Sequence, residues 1–238
     1  VFSVDSTFLQ RAYDQLVQDL CVNNNSAAII NHMASVYGMN DVTHLGFFDI
    51  PMLTSIPNLV YLAPTNNEEL LAMTEYAVHQ HEHPVAIRVP VGEFTSTGVA
   101  DTTDYSILNK SEVTRRGERI ALIGLGNFYH LANQVADELA KEGIHATVVN
   151  PKFASGLDEE LLEELKANHS VVFTLEDGVV EGGWGQRVAS FYGPSNMRVK
   201  NYGIAKAFHD RYDATELLRE NGVSLEQIVT DAKQVLSV

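Results

Sequence analysis

Seven short apolar runs constrain this chain most: AAII (27–30), LVYLAP (59–64), PVAIRVP (84–90), RIALIGLG (119–126), HATVVNP (145–151), SVVFTLED (170–177) and MRVKNYGI (197–204). Each is short for a helix, and several are rich in Val and Ile. Amphipathic helical patterns separate them, among them NEELLAMTEYAVHQH (67–81), FYHLANQVADELAKEG (128–143) and LDEELLEELKAN (157–168). Strands that alternate with helices predict an α/β fold with mostly parallel sheets. The stretch 93–118 breaks the alternation; it is polar and turn-rich, and the pattern restarts after it. Two domains are therefore expected, residues 1–100 and 116–238, joined by a linker over 101–115. Thr65 or Asn66 caps the helix from 67, and Ser224 with Gln227 forms a capping box for the last one. Phe8, Leu9, Ala12, Tyr13, Leu16, Val17 and Leu20 predict one helical stripe after N-cap candidates Ser6 and Thr7.

Charge and cysteine content narrow the function classes. The net charge of −15 argues against a nucleic-acid or anionic-membrane surface, and no apolar run approaches the roughly 20 residues of a membrane span. The single cysteine, Cys21, rules out an internal disulfide and suits a reducing cytoplasm. Across the first 109 residues the only Lys or Arg residues are Arg11 and Arg88. The opening VFSVDS, without a methionine, reads as a strand joined mid-fold to a helix. Further sequence upstream is expected, the alternative being a processed terminus.

Four segments qualify as candidate sites. GLGNFYH (124–130) has the context of a phosphate-binding turn but lacks the full glycine pattern, which favours an ordinary tight turn. GVVEGGWGQ (178–186) favours a structural or interface role over a ligand cradle. His79, His81 and His83 alternate, but they lie at a helix end before Pro84, which favours a solvated turn over a metal site. NHMASVYGMNDVTHLGFFD (31–49) follows a buried strand and is too polar for a core. In an open parallel sheet ligands bind beyond the carboxyl ends of the strands. Phe8 and Arg11 near one such end, and Asn40 and His44 after the next strand, therefore point to one edge as a small-molecule site.

STFLQRAYDQ (6–15), THLGFFD (43–49), IPNLVYLAPTNNEELLAM, PVAIRVPVG and TLEDGVVEGGWG together resemble the thiamine-diphosphate enzymes of the transketolase superfamily, most nearly the 1-deoxy-D-xylulose-5-phosphate synthase branch. The resemblance covers essentially the whole chain. It implies a pyrimidine-binding domain lacking its opening elements, followed by a complete C-terminal domain. It also implies transfer of a two-carbon unit to an aldehyde, Phe8 stacking on the aminopyrimidine, Arg11 beside the cofactor, and His44 facing the reacting substrate. Asn40 and Arg88 are the implied substrate-binding positions. Met33 and Val91 stand where the family has arginines that hold the acceptor's phosphate, so phosphate recognition is expected to be degenerate. Thiamine diphosphate and magnesium are expected to be held mostly by parts outside this chain, since no G-D-G…N motif occurs in it. The implied assembly is a homodimer or larger, with the diphosphate-binding domain on a separate chain or segment. The alternatives are a β-type subunit of a split transketolase or 2-oxoacid dehydrogenase, and a non-catalytic assembly or regulatory paralogue.

Overall fold

The computed structural model describes residues 1–38 and 41–237. Two sheets divide the chain. The first contains β1 (Phe2–Asp5), β2 (Ala27–His32), β3 (Val60–Leu62) and β4 (Pro84–Arg88), ordered β1-β2-β4-β3 and parallel throughout. The second contains β5 (Glu112–Arg115), β6 (Arg119–Gly124), β7 (Thr147–Asn150), β8 (His169–Val179) and β9 (Arg198–Ile204), ordered β5-β7-β6-β8-β9. Its strands are parallel except β5, which runs antiparallel along β7. The stretch expected to be a linker thus supplies an edge strand. Its residues are mostly exposed, so an edge strand there carries no apolar signature.

Helices fill the crossovers. They are α1 (Ser6–Leu9), α2 (Tyr13–Gln15), α3 (Asp49–Thr54), α4 (Asn67–His79), α5 (Phe128–Lys141), α6 (Glu159–Leu165), α7 (Trp184–Tyr192), α8 (Ala214–Glu220) and α9 (Leu225–Leu236). Asn66 caps α4 by accepting from the Glu69 N–H at 2.8 Å, while Glu69 accepts in return from Thr65 N and Oγ1. Ser224 caps α9 by accepting from Gln227 N. The opening helix is not the single stripe its periodicity suggests. It passes from α1 through a 3₁₀ turn (Gln10–Ala12) and α2 into a π-helical stretch (Leu16–Cys21). Leu9 and Leu16 are buried, whereas Phe8 and Tyr13 remain exposed. No helix among the described residues is long and apolar enough to cross a membrane.

The two sheets are locked together. Ala63 N donates to Lys152 O, Ala154 N donates to Tyr61 O, and Leu62 bridges Phe153. Lys152, 3 % exposed, reaches Glu69, Asp101 and Glu112 from both sides of that seam. Asn150 adds a bond to Glu69. Apolar side chains of both sheets share one core, from Ile29, Tyr61 and Ala86 to Val149, Val172 and Trp184.

Candidate active site

The carboxyl ends of β1 and β2 release the two segments that build a cleft of about 670 Å³. Phe8, Gln10 and Arg11 come from the opening helix, Val42 to Leu45 and Phe48 from the loop after β2, and Phe208 from the second domain. Its size falls in the range of small-molecule sites. Phe8 and His44 meet edge to face, ring centroids 5.4 Å apart. Arg11 lines the same cleft. The structure therefore brings together three of the expected residues. Asn40 lies outside the described residues.

The loop that carries His44 is pinned from both sides. Ser6 and Thr7, which a local reading takes as N-caps, make no cap hydrogen bond; Asp5 occupies that position. Their hydroxyls instead donate to Gly46 O at 2.9 Å and Thr43 O at 2.8 Å. Tyr37 donates to His44 O at 2.8 Å. Gly46 is required here, because a Cβ would stand 1.8 Å from the Met33 carbonyl oxygen, while Met33 itself has φ +54°. From the second domain, Val179, Ile204 and Leu217 pack on Leu45 and Phe47, and Val179 N donates to Phe47 O. Leu45, Gly46 and Phe47 of this loop are buried, contrary to the expectation of a loop too polar for a core.

The tip sets the protonation pattern of His44. Asp41 Oδ1 accepts from both the amide and the hydroxyl of Thr43 at 2.8 Å, and these bonds hold its carboxyl below the usual range. The Thr43 hydroxyl has one proton, already committed to Asp41, so it accepts from His44 Nδ1 at 2.9 Å. Neutral His44 is thereby held as the Nδ1–H tautomer. Among the described residues its Nε2 makes no hydrogen bond, and in this tautomer it carries the free lone pair. Neither Thr43 nor Asp41 is visible as a positioning residue in sequence beyond its nearness to His44.

Arg88 goes elsewhere. At the end of β4 it is 2 % exposed, and its guanidinium spans Asp49 at the start of α3 and Asp177 in β8. Nε donates to Asp49 Oδ2 at 2.7 Å, Nη1 donates to Asp177 Oδ1, and Nη2 reaches the Asp177 carbonyl at 3.1 Å. Tyr61 donates to the same Asp49 carboxylate and accepts from Asn31. Expected to bind substrate, Arg88 is instead committed to a buried ion cluster that ties α3 to the second domain. Val91 is half-exposed and Met33 partly buried, and both are apolar.

The two glycine-rich segments form turns. Gly126 makes a tight βα turn with φ +57°. In the second glycine-rich turn, Glu176 caps α7 by accepting from Trp184 N and Gly185 N at 2.8 and 2.9 Å. A Cβ on Gly183 would stand 2.6 Å from that carboxylate. No group of three or more metal-ligating side chains occurs among the described residues, His79, His81 and His83 included.

Burial pushes the Glu176 carboxyl up to about 7, against the pull of the two amides. A carboxyl raised in the folded state stabilises while both states are protonated, and that contribution is lost as pH rises from the unfolded value of 4.5 through 7. The expected loss across that window is about 3 kcal/mol. Asp177, pushed up to about 6 by burial, titrates lower in the same direction. Urea unfolding of Glu176→Gln at several pH values should therefore show much of the fall in stability between pH 5 and 7 removed. An unchanged slope there assigns it to other groups.

The cleft thus lies at the carboxyl edge of a parallel sheet, with Phe8 edge-on to His44, on two linked α/β domains. The transketolase pyrimidine-binding domain matches residues 3–96 and the transketolase C-terminal domain matches residues 109–228, and the chain belongs to the transketolase family. Among curated relatives, the 1-deoxy-D-xylulose-5-phosphate synthase of Pelotomaculum thermopropionicum is 35% identical over 232 residues, covering 96% of this chain and 36% of the relative. That of Aromatoleum aromaticum is 36% identical over 239 residues, covering 100% of this chain and 38% of the relative. The chain thus spans little more than a third of the length of these relatives. A solved split gene transketolase, described as an inactive β4 tetramer, superposes with a TM-score of 0.82 at 23% identity, covering 99% of this chain and 75% of that one. This likeness is one of fold.

Proposed function

We propose that this chain is the later portion of a thiamine-diphosphate-dependent transferase of two-carbon units, resembling 1-deoxy-D-xylulose-5-phosphate synthase, with a weakened phosphate site. The observation that carries the reading is the pairing of Phe8 and His44 in one cleft at the carboxyl edge of the first sheet. The residues fit one half of the cofactor. The Phe8 ring is 42 % exposed, which leaves a face for an aminopyrimidine, and Arg11 flanks it. When bound, thiamine diphosphate supplies the electron sink for carbon–carbon bond chemistry.

This chain's residues then have separate tasks. Phe8 orients the ring it stacks on. His44, its Nδ1–H bound by Thr43, presents Nε2 to the alkoxide that develops on an aldehyde oxygen, donating when protonated and accepting in reverse. The buried flank of the loop, from Leu45 to Phe47, holds that nitrogen in place.

The split-transketolase reading, in which this chain is a β-type subunit with a separately encoded partner, draws support from the fold likeness to a split gene product over 99% of this chain. Assembly as a homodimer or larger suits the exposed Phe2, Phe8 and Tyr13 on the first domain. A non-catalytic role is the outcome if the complete assembly fails to bind thiamine diphosphate.

Substrate selectivity tests the proposal. Met33 and Val91 cannot make the bidentate bonds that arginine gives a phosphate, and Arg88 is occupied by Asp49 and Asp177. Loss of two charged hydrogen bonds should weaken phosphate recognition by at least about tenfold. The assembled holoenzyme is expected to show kcat/KM values for glyceraldehyde 3-phosphate and glyceraldehyde within about tenfold of each other. A preference for the phosphate above about a hundredfold would mean that other cations serve it.

A further inference from the structure

We infer that the second domain completes the acceptor side of the cleft through Phe208, and that the acceptor is an aldehyde bearing an apolar aliphatic or aromatic group. The inference deepens the two-carbon-transfer reading and rests on it. Phe208 is 83 % exposed, yet side chains and one backbone amide on either side of it make defined contacts. Ala205 N donates to Asn221 Oδ1 at 2.9 Å, and Lys206 pairs with Glu181 at 2.7 Å. His209 packs edge-on against Phe47 at 5.9 Å and against Tyr212 at 6.0 Å. The ring between these anchors faces Phe48 with centroids 6.1 Å apart, inside the cleft that holds Phe8 and His44. A lone exposed phenylalanine on a surface needs no explanation. One that meets a second ring edge-on and lines a cleft with Phe8 and His44 presents an apolar surface to whatever enters that cleft.

The polar groups of the cleft point the same way. Thr7 is committed to the Thr43 carbonyl, and Thr43 to Asp41 and His44. Among the described lining residues, Gln10 and Arg11 are left to serve a substrate's hydroxyls or charge, and both belong to the helix that carries Phe8. A polyhydroxylated or phosphorylated acceptor would lose water there and regain few partners, which costs more than losing water from an alkyl or aryl group. Phe208 is thus a specificity-determining residue, with His44 serving the carbonyl oxygen and Phe208 the substituent.

The test uses two probes, benzaldehyde and glyceraldehyde, and two readouts. In the chain carrying ¹³C-methyl labels on Val and Leu, benzaldehyde should shift the Val42 and Leu45 methyl signals saturably, and glyceraldehyde at least about fivefold more weakly. Phe208→Ala, which removes an exposed ring and leaves the core intact, should weaken benzaldehyde about three- to tenfold, the range of one aromatic contact. Glyceraldehyde should be unaffected. In the assembled holoenzyme the same variant should lower the benzaldehyde-to-glyceraldehyde ratio of kcat/KM by a similar factor. Unmoved methyl signals, or an unchanged affinity and ratio in Phe208→Ala, overturn the inference. A holoenzyme that transfers no two-carbon unit to either aldehyde overturns the functional reading instead, and the methyl titration still decides the role of Phe208.

Discussion

Replacing Arg88 with methionine is expected to remove about 3–5 kcal/mol of stability, because it strands two buried carboxylates on either side of a domain boundary. The side chains of Arg88, Asp49 and Asp177 are each at most 1% exposed. Their mutual attraction offsets a desolvation cost that none of them could bear alone. A loss of that size is a large share of the roughly 5–15 kcal/mol that holds a domain folded. The deficit should depend on pH. Burial already pushes Asp177 up to about 6 with the guanidinium opposing it, and removing that cation raises the carboxyl further. A raised folded-state value stabilises below the unfolded one and loses that contribution as pH climbs, so Arg88→Met should lie nearer wild type at pH 5 than at pH 8. Urea unfolding at both pH values measures this. Adding Asp177→Asn should recover part of the loss, since the stranded charge is gone. A deficit below about 1 kcal/mol, equal at both pH values, would show that the cluster is not held together by charge.

The same residue shows where sequence reasoning stops. PVAIR is buried at every position, so strand alternation assigns no face to Arg88, and its partners lie 39 and 89 residues away. Ser6 and Thr7 are read as caps for the same reason: local pattern sees the helix they start, not the carbonyls 40 and 36 residues on. The apolar runs were legible, because burial between helices on a parallel sheet demands them. β5 was not, since an exposed antiparallel edge strand needs no apolar pattern. Phe8 and His44 were legible as a pair because both follow strand ends on one edge. The contributions of Tyr37 and Phe208 depend on how the loop tip and the second domain close on that edge, which no local signal records.

His44→Ala should lower kcat/KM of the assembled holoenzyme by about 10²–10³-fold, within the usual contribution of a positioned proton-transfer group. The fold should survive. The His44 side chain is 39% exposed, and the loop is held by backbone bonds to Ser6, Thr7 and Tyr37 that alanine leaves intact. Melting temperature and circular dichroism then separate a chemical loss from a structural one. The loss should fall mainly on kcat, because a proton given to a developing alkoxide acts in the transition state more than in binding. Thr43→Val, which removes the acceptor for Nδ1–H, should allow the other tautomer and lower kcat, whereas Thr43→Ser should restore it. If His44→Ala costs less than about fivefold while thiamine diphosphate still binds, the proton must pass through another group. Phe8 would then be left as a platform without an acid opposite it, and the case for catalysis at this edge would rest on the fold alone.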